Sequence, residues 1–352
     1  MKTFQQFEKK LESIPLTTSW YLADLGEARG KQALFTKQSP QKLKVLREHA
    51  LIESAVSSNR IEGVTVNQKR VGTVVFGRAH LKDRSEEEVR SYRTALDWIH
   101  REGVKIPVSE KTILKLHRMS RGEIWDAGRY KEKNVDIIEK LPGGRELVRF
   151  KTVEASITPR FMKELIQVWP DCLKEKMVHP LIALAAFNLD FLCIHPFRAG
   201  NGRVSRLLLL LQSYSLGYEV GRYISLERVI EQNKERYYET LEQSSQGWHE
   251  GAHDPWPYVN YLLYILKTAY QEFESRVGRM KPPRGAKTEL VEAAIASLGK
   301  EFAISDLEKA CPGVSRDMIR VVMNRLRKEG RLKILSRGRD ARWTKLGQRL
   351  QH

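Results

Sequence analysis

The chain has 352 residues, 41% of them hydrophobic and 30% charged, which is typical of a soluble globular protein with two or three domains. Its three cysteines are an odd number without paired spacing, so we expect reduced thiols rather than a disulfide framework. No apolar run is long enough to cross a bilayer, and residues 1–10 lack the apolar centre of a signal peptide. The sequence therefore predicts a cytoplasmic protein without a membrane partner. Its net charge of +18 favours nucleic acid or anionic protein surfaces as partners.

The first part of the chain is predicted to be helical. Residues 1–40 open with a short amphipathic segment, and a helix is predicted over 41–57, where apolar residues recur on more than one side. The sequence Ser-Ser-Asn-Arg-Ile-Glu-Gly follows, and its last residue, Gly63, is a natural helix stop. Further helices are predicted over 84–102 and 109–119.

The periodicity changes after these helices. Residues 135–139 and 146–150 are short strand-like runs on either side of a Leu-Pro-Gly-Gly turn, so a β-hairpin is predicted. The turn consists of Leu141, Pro142, Gly143 and Gly144.

Two strongly apolar helices are predicted over 179–193 and 204–216, after a helix over 158–169. The sequence Ile-His-Pro-Phe-Arg-Ala-Gly-Asn-Gly-Arg-Val-Ser-Arg, here called the signature loop, occupies residues 194–206. Its two glycines allow the backbone amides to turn toward one point, and the positive end of the second helix is directed to the same point.

Two arginines follow these glycines. Arg203 and Arg206 lie three residues apart on one face of the second helix's first turn, where arginine is unfavourable unless an anion binds it. We interpret the loop as a phosphate-binding loop with His195 at its edge and Phe197 as a buried anchor. The alternative is a tight interhelical turn with solvated arginines and a capping histidine.

The signature loop resembles the signature of the Fic family, His-x-Phe-x-acidic-Gly-Asn-Gly-Arg-x-x-Arg. Every specified position matches except the acidic one, which is Ala199 here. The resemblance implies a protein adenylyltransferase that moves AMP from ATP to a Ser, Thr or Tyr hydroxyl, with the chain itself among the candidate targets. It implies His195 as the general base and a set of phosphate-binding residues: Gly200, Asn201, Gly202, Arg203 and Arg206. The family's acidic residue holds Mg²⁺, so the usual ligand for this ion is missing here. Three alternatives follow: another carboxylate holds Mg²⁺, the reaction is slow and metal-independent or uses a donor other than ATP, or the protein binds nucleotide without catalysis.

A second resemblance concerns regulation. Ser58-x-x-x-Glu62-Gly63 resembles the inhibitory motif of Fic proteins that carry their own N-terminal inhibitory helix. The resemblance implies that Glu62 pairs with Arg206 and inhibits the enzyme. The alternative is a surface glutamate beside a helix end. The family also places a hairpin at the position of residues 135–150, where it acts as a flap that docks the target by strand addition. The alternative there is an inert surface hairpin.

A helix predicted over 225–245 carries Tyr237 and Tyr238. Paired tyrosines can stack on an adenine, and the family places such a pair here. The alternative is that both are packing residues. Some relatives have an asparagine seven residues after the second tyrosine, where this chain has Ser245. A helix over 258–275 ends the predicted helical domain.

The C-terminal region is rich in basic residues, with 17 Lys and Arg against 8 Asp and Glu from Lys281 to His352. Helices are predicted over 288–298, 304–310 and 315–328, followed by strand-like runs over 332–335 and 341–345. This order resembles a winged helix-turn-helix, which implies a DNA-binding domain. The alternative is a winged helix used for dimerisation or partner docking. The candidate DNA-binding residues are Arg316, Arg320, Asn324 and Arg327 on the third helix and Arg337 and Arg339 at the wing tip.

The sequence thus predicts a mainly α protein: a Fic-type helical bundle with a β-hairpin flap, plus a C-terminal winged helix-turn-helix. The predicted parts are an N-terminal helical region with the inhibitory motif (1–85), a catalytic core (86–275), a linker (276–286) and the winged-helix domain (287–352). The first predicted function is adenylyl transfer inhibited by Glu62. The second is a DNA-binding transcriptional regulator whose Fic domain binds nucleotide with weak catalysis. The expected partners are ATP or another nucleotide, a target protein, DNA and a second copy of the chain.

Overall fold

The computed structural model describes residues 1–10, 13–38, 40–77, 80–122, 124–140, 144–279, 286–311, 314–336 and 341–346. The chain divides into two compact units, Met1–Val277 and Gly278–His352. Among the described residues, no helix is both long and apolar enough to cross a membrane.

The first unit is almost entirely helical, which confirms the mainly α fold class. Its helices are α1 (Lys2–Lys10), α2 (Leu16–Gln38), α3 (Pro40–Ile61), α4 (Val71–Phe76), α5 (Arg84–Glu102), α6 (Glu110–Arg121), α7 (Thr158–Glu175), α8 (Pro180–Ile194), α9 (Asn201–Ser215), α10 (Leu226–Gln232), α11 (Lys234–Ser245) and α12 (Trp256–Arg279). The hairpin predicted before α7 is present as β1 (Ile137–Lys140) and β2 (Glu146–Phe150). The two strands are antiparallel, with Ile138 opposite Val148.

Helix α8 lies at the centre of this unit because it is apolar on all sides. Every residue from Leu181 to Ile194 is buried, and α8 packs against α1, α7 and α9. The buried Asp190 in α8 accepts hydrogen bonds from Thr3 N, Thr3 Oγ1 and Trp248 Nε1, which attaches α1 to the core. The end of α8 is therefore fixed, and the signature loop begins there.

Several helices differ from the sequence prediction: α4 was not predicted, and α7 continues past Trp169 to Glu175. The segment before residue 40 contains the 23-residue α2 rather than only a short amphipathic segment. Helix α3 continues past Ser57 to Ile61, because Ser58 and Asn59 are buried and bind residues of α9. The helix predicted over 225–245 is interrupted at Asn233, whose φ and ψ of −118° and 32° are not helical.

The second unit contains three helices and a small antiparallel sheet. Its elements are α13 (Ala286–Ser297), β3 (Glu301–Ala303), α14 (Ile304–Ala310), α15 (Arg316–Lys328), β4 (Leu332–Ile334) and β5 (Arg342–Lys345). The strand order is β3-β5-β4. The sequence predicted the helices and the last two strands but not β3, which is only three residues long and precedes α14 directly. Phe302 of β3 and Trp343 of β5 pack on the inner face of α15.

Candidate active site

The loop between α8 and α9 contains the candidate base. His195 follows α8 in the left-handed conformation with a φ of +52°, and its N–H donates to Phe191 O at 3.0 Å. This conformation is uncommon for a residue other than glycine, so the surrounding contacts must stabilise it. Phe197 is fully buried, as expected of the loop anchor, and stacks on His117 with ring centroids 3.8 Å apart.

Asn201 closes the loop with its side chain. Phe197 N donates to Asn201 Oδ1 at 2.9 Å, and Asn201 Nδ2 donates to Phe197 O at 2.8 Å. The expectation that this side chain holds a phosphate is therefore corrected. The turn leaves the peptide groups of Phe197 without backbone partners, and a buried side chain has to satisfy them. Only the backbone N–H of Asn201, at the start of α9, remains in the predicted role.

His117 on α6 is a loop contact that the sequence did not indicate. Gly128 N donates to His117 Nδ1 at 2.9 Å, so Nε2 carries the proton and donates to Ala199 O at 3.0 Å. Burial lowers the pKa of His117 to about 4, which keeps the ring in this neutral form. His117 therefore holds the loop at the position where the family has its acidic residue.

His195 is in the protonation state that a general base requires. Burial, followed by the charge of Lys131, lowers its pKa to about 4. The Leu192 carbonyl and the Glu62 carboxylate act in the opposite direction without outweighing them. The imidazole is therefore neutral near pH 7 and able to accept a proton.

The first turn of α9 follows at once. Gly200 is its N-cap with a φ of +87°, and no side chain caps this end. The N–H groups of Gly200, Asn201 and Gly202 thus lie at the positive end of a 15-residue helix, where an anion is favoured. This is the arrangement expected of a phosphate-binding loop.

Arg206 is buried and paired with the predicted inhibitory segment. Its Nη2 donates to Glu62 Oε1 at 2.8 Å and to Ser58 O at 2.9 Å, and its Nε donates to Ser58 Oγ at 2.8 Å. Burial alone would lower the pKa of Arg206, but Glu62 and the nearby tyrosines outweigh it and raise this pKa. Gly63 follows Glu62 with a φ of +81°, so the chain turns away directly after the pair. The structure thus brings together the two residues that the second resemblance paired.

Arg203 lies in a different environment from the one predicted. Its Nη1 donates to Glu88 Oε2 at 2.9 Å and to Asn59 Oδ1 at 3.1 Å, and all three residues are buried. The same Glu88 also lies 3.5 Å from Arg121. The role of Arg203 in neutralising phosphate charge stays a prediction; in the structure a buried carboxylate binds its guanidinium.

The absence of a side chain at Gly202 makes room for the Glu62 carboxylate. A Cβ atom at this position would overlap Glu62 Oε1 and come within 3.2 Å of Arg206 Nη1. The glycine is therefore required for the close approach of the two side chains, in addition to any role of its amide.

A cavity of about 390 Å³ opens beside the end of α8. The hairpin, α8 and α11 enclose it, and it is lined by Ile137, Ile138, Arg149, Phe150, Leu192, Cys193, Tyr238, Leu241, Glu242 and Ser245. Tyr238 is 44% exposed and able to contact a ligand. Tyr237 is buried among Tyr258 and Tyr261, so the expectation that both tyrosines stack on a base is corrected to Tyr238 alone.

The Fic/DOC family model matches residues 107–213, which include α6, the hairpin, α8, the signature loop and most of α9. These residues form a Fic/DOC domain. A solved structure of a Fic family protein from Desulfovibrio desulfuricans has 25% identity and a TM-score of 0.59, covering 96% of this chain and 98% of that one. A Fic domain containing signaling protein from Bacteroides thetaiotaomicron has 23% identity and a TM-score of 0.61, covering 73% of this chain and 98% of that one, and supports the fold alone.

Curated relatives match a smaller part of the chain than these two structures do. Protein adenylyltransferase Fic of Drosophila melanogaster is 24% identical over 226 residues, which is 62% of this chain and 41% of the relative. Protein adenylyltransferase Fic of Drosophila erecta is 24% identical over 231 residues. The chain thus matches about two fifths of the length of these relatives.

The residues of this Fic domain do not fit the usual metal ion. Ala199 offers no side-chain oxygen. The side chain of Arg121 packs beside Gly200. Two carboxylates lie near its guanidinium, Glu88 at 3.5 Å and Asp126 at 3.8 Å, so both are already paired with an arginine. Within the described part of the chain, no group of three His, Cys, Asp or Glu residues is placed to hold a metal.

The remaining predicted residues belong to segment 141–144 or to the second unit. Leu141, Pro142 and Gly143 lie outside the described residues, and Gly144 is exposed beside β2 with a φ of +77°. Arg316, Arg320, Asn324 and Arg327 are exposed on α15 in the second unit. Arg337 and Arg339 lie outside the described residues.

Proposed function

We propose that the protein is a nucleotidyltransferase that moves AMP from ATP to a hydroxyl group of a protein, with itself among the targets. One observation carries this proposal: a neutral, half-buried His195 lies at the uncapped positive end of α9, with Arg206 just over one turn further along. A proton acceptor beside an anion site is what phosphoryl transfer to a hydroxyl requires. The Fic/DOC domain and its adenylyltransferase relatives support the same reaction class.

In the proposed reaction, the acceptor oxygen attacks the α-phosphorus of ATP and the bond to the β-phosphate oxygen breaks. His195 takes the hydroxyl proton, and pyrophosphate leaves with the bond electrons. The N–H groups at the start of α9 bind the phosphates, and Arg206 neutralises charge on the leaving group. No step is assigned to a metal ion, since the residues present do not fit one.

Glu62 restrains this reaction in the proposed mechanism. Its carboxylate occupies Arg206 Nη2 and lies against Gly202, so it competes with a phosphate for the same guanidinium. Of the three guanidinium nitrogens of Arg206, Nη1 lacks a hydrogen-bond partner among the described residues. Displacement of Glu62 would free one N–H of Nη2 next to Nη1, so that both nitrogens could donate to a phosphate, while Nη2 keeps its hydrogen bond to Ser58 O.

The hairpin is the proposed docking site for the target. Ile138, Leu147 and Val148 are between 44% and 48% exposed, so the hairpin presents apolar side chains near the mouth of the cavity. An extended segment can pair with a free strand edge through its backbone, which leaves its side chains unrestricted.

Mass spectrometry tests the enzyme proposal. The purified protein is incubated with each nucleoside triphosphate in turn, using the wild type, Glu62→Gly and His195→Ala. We expect Glu62→Gly to gain the mass of one AMP with ATP, or to label a protein in a lysate when the ATP carries a labelled α-phosphate. His195→Ala in the Glu62→Gly background should reduce labelling by about 10²–10⁴-fold. Labelling that persists without His195, or no labelling with any nucleotide, would refute the proposal.

The exposed polar face of α15 favours a second candidate function, DNA binding. Among the described residues, two of its exposed arginines form ion pairs at long distance, Arg316 with Glu308 at 3.5 Å and Arg320 with Asp317 at 3.5 Å. Exposed pairs of this kind are weak and exchange readily for phosphate. A salt titration of DNA binding by the full chain and by Arg320→Glu with Arg327→Glu tests this function. Phosphate contacts give a steep salt dependence that the double variant should lose.

A further inference from the structure

Lys131 contacts the signature loop on both sides of His195. Its backbone N–H donates to Pro196 O at 2.9 Å, and its ammonium group donates to Ile194 O at 3.2 Å. These two carbonyl groups belong to the residues directly before and after the candidate base. A single buried residue therefore restrains the backbone on both sides of a histidine that has a φ of +52°.

The same ammonium group connects the loop to the base of the hairpin. Lys131 Nζ donates to Thr152 Oγ1 at 2.7 Å, and that hydroxyl donates to Val135 O at 2.7 Å. Thr152 follows β2 and Val135 precedes β1. The position of His195 is thus linked through hydrogen bonds to both strands of the proposed docking site.

Lys131 also places a positive charge next to His195. Burial lowers the pKa of Lys131 to about 8, so its ammonium group stays protonated at neutral and acidic pH. No described carboxylate lies within ion-pair distance of it. A nearby like charge disfavours the imidazolium form of a histidine. The other charged group that acts on His195 is Glu62, whose effect has the opposite sign.

We propose that Lys131 is the positioning residue for His195: it holds the histidine in its left-handed conformation and disfavours uptake of a proton by the imidazole. The catalytic part of this proposal rests on the proposed role of His195 as general base. The effect on the protonation of His195 does not, because it is measurable without any turnover.

Three variants separate the two contributions of Lys131. Lys131→Met keeps the apolar stem and removes the charge and the side-chain donor. Lys131→Arg keeps the charge. Lys133→Met is the matched control, since Lys133 is exposed and two residues away. Thermal unfolding of each variant shows whether the first unit remains folded.

NMR of histidine-labelled protein reports the protonation of His195, assigned by comparison with His195→Gln. In the wild type, Lys131→Arg and Lys133→Met, we expect the His195 signals to show little titration down to pH 5. In Lys131→Met, the titration midpoint should rise by about 0.5–1 pH unit. An unchanged midpoint in a folded Lys131→Met, or an equal rise in Lys131→Arg, would overturn the proposal. This result holds whether or not the protein transfers nucleotides.

Kinetics in the Glu62→Gly background test the positioning role. We expect Lys131→Met to lower kcat about tenfold to a hundredfold, because the base is less well oriented, with a change in the KM for ATP of about threefold or less. The acid limb of kcat should move to higher pH by the same amount as the NMR midpoint. A lowered kcat with an unmoved acid limb would contradict the electrostatic contribution, and an equal loss in Lys133→Met would contradict both. If no variant transfers a nucleotide, the proposed function fails and the NMR result still decides the role of Lys131.

Discussion

Arg203 and Arg206 begin the same helix three residues apart, yet their carboxylate partners differ in burial and in the segments that carry them. Glu88 comes from α5, has a side chain only 7% exposed, and also contacts Arg121. Glu62 comes from the turn after α3, has a side chain 30% exposed, and contacts only Arg206 among the described ion pairs. Both arginines are buried, Arg206 with a side chain only 2% exposed, so the two pairs differ in the carboxylate: Glu88 belongs to the folded core, whereas Glu62 is partly open to solvent.

Within one short sequence motif, this difference separates an arginine paired with a core carboxylate from the arginine proposed to bind phosphate. Removing one partner of a buried, hydrogen-bonded ion pair strongly destabilises the folded protein. A partly exposed pair contributes less, and a phosphate bound at the same guanidinium is able to replace it. The following variants test this distinction.

The largest expected effect is on stability. Glu88→Gln leaves Arg203 without a buried counter-charge, so we expect a loss of about 3 kcal/mol in the free energy of unfolding. Glu62→Gln should cost about 1 kcal/mol or less. Urea unfolding followed by circular dichroism measures both, with Glu102→Gln, an exposed residue on α5, as the control. Equal losses for Glu88→Gln and Glu62→Gln would remove the distinction between the two pairs.

A smaller effect is expected on nucleotide affinity. Glu62→Gln removes the carboxylate that competes for Arg206, so the Kd for ATP should fall about tenfold, which corresponds to about 1.4 kcal/mol. Isothermal titration calorimetry with a non-hydrolysable ATP analogue measures this change. Glu231→Gln, which disrupts the Arg60–Glu231 pair at 3.0 Å, is the matched control and should leave the Kd unchanged. An unchanged Kd in Glu62→Gln would mean that Glu62 does not compete with phosphate for Arg206.

The smallest expected effect comes from introducing a carboxylate at Ala199, just before α9. Ala199→Asp restores an oxygen ligand, so Mg²⁺ should raise its affinity for ATP about threefold, while wild type and Ala199→Asn should not respond. Calorimetry with Mg²⁺ or with EDTA measures the difference. An equal Mg²⁺ response in the wild type would show that another residue holds the ion.

Most of the helices around the site could be predicted because their apolar residues recur with helical spacing, as in α5 and α6. Helix α2 could not, since its apolar residues are spread around the helix without a preferred face. The extension of α3 was missed for a different reason. Ser57, Ser58 and Asn59 are poor helix residues in isolation, but buried contacts with distant residues stabilise them there.

The candidate site was predictable only where a motif contained the residues. The signature loop and Glu62 followed from such motifs. The hydrogen-bond partners of three site residues are distant in the sequence: 115 positions for Glu88, 82 for His117 and 63 for Lys131. No local pattern indicates such partners. The buried position of Tyr237 likewise depends on Tyr258 and Tyr261 of α12, which the spacing of the tyrosine pair does not reveal.

The space at Gly202 has a consequence for how this protein can vary. The proposed restraint by Glu62 depends on the absence of a side chain at residue 202, because a Cβ atom there would overlap Glu62 Oε1. An alanine there would displace only the end of a flexible side chain, so folding would be affected little. Gly202→Ala is therefore expected to displace Glu62 from Arg206 and to remove the proposed inhibition while leaving the fold intact. Related sequences that keep the proposed inhibition by Glu62 are therefore expected to have glycine at this position.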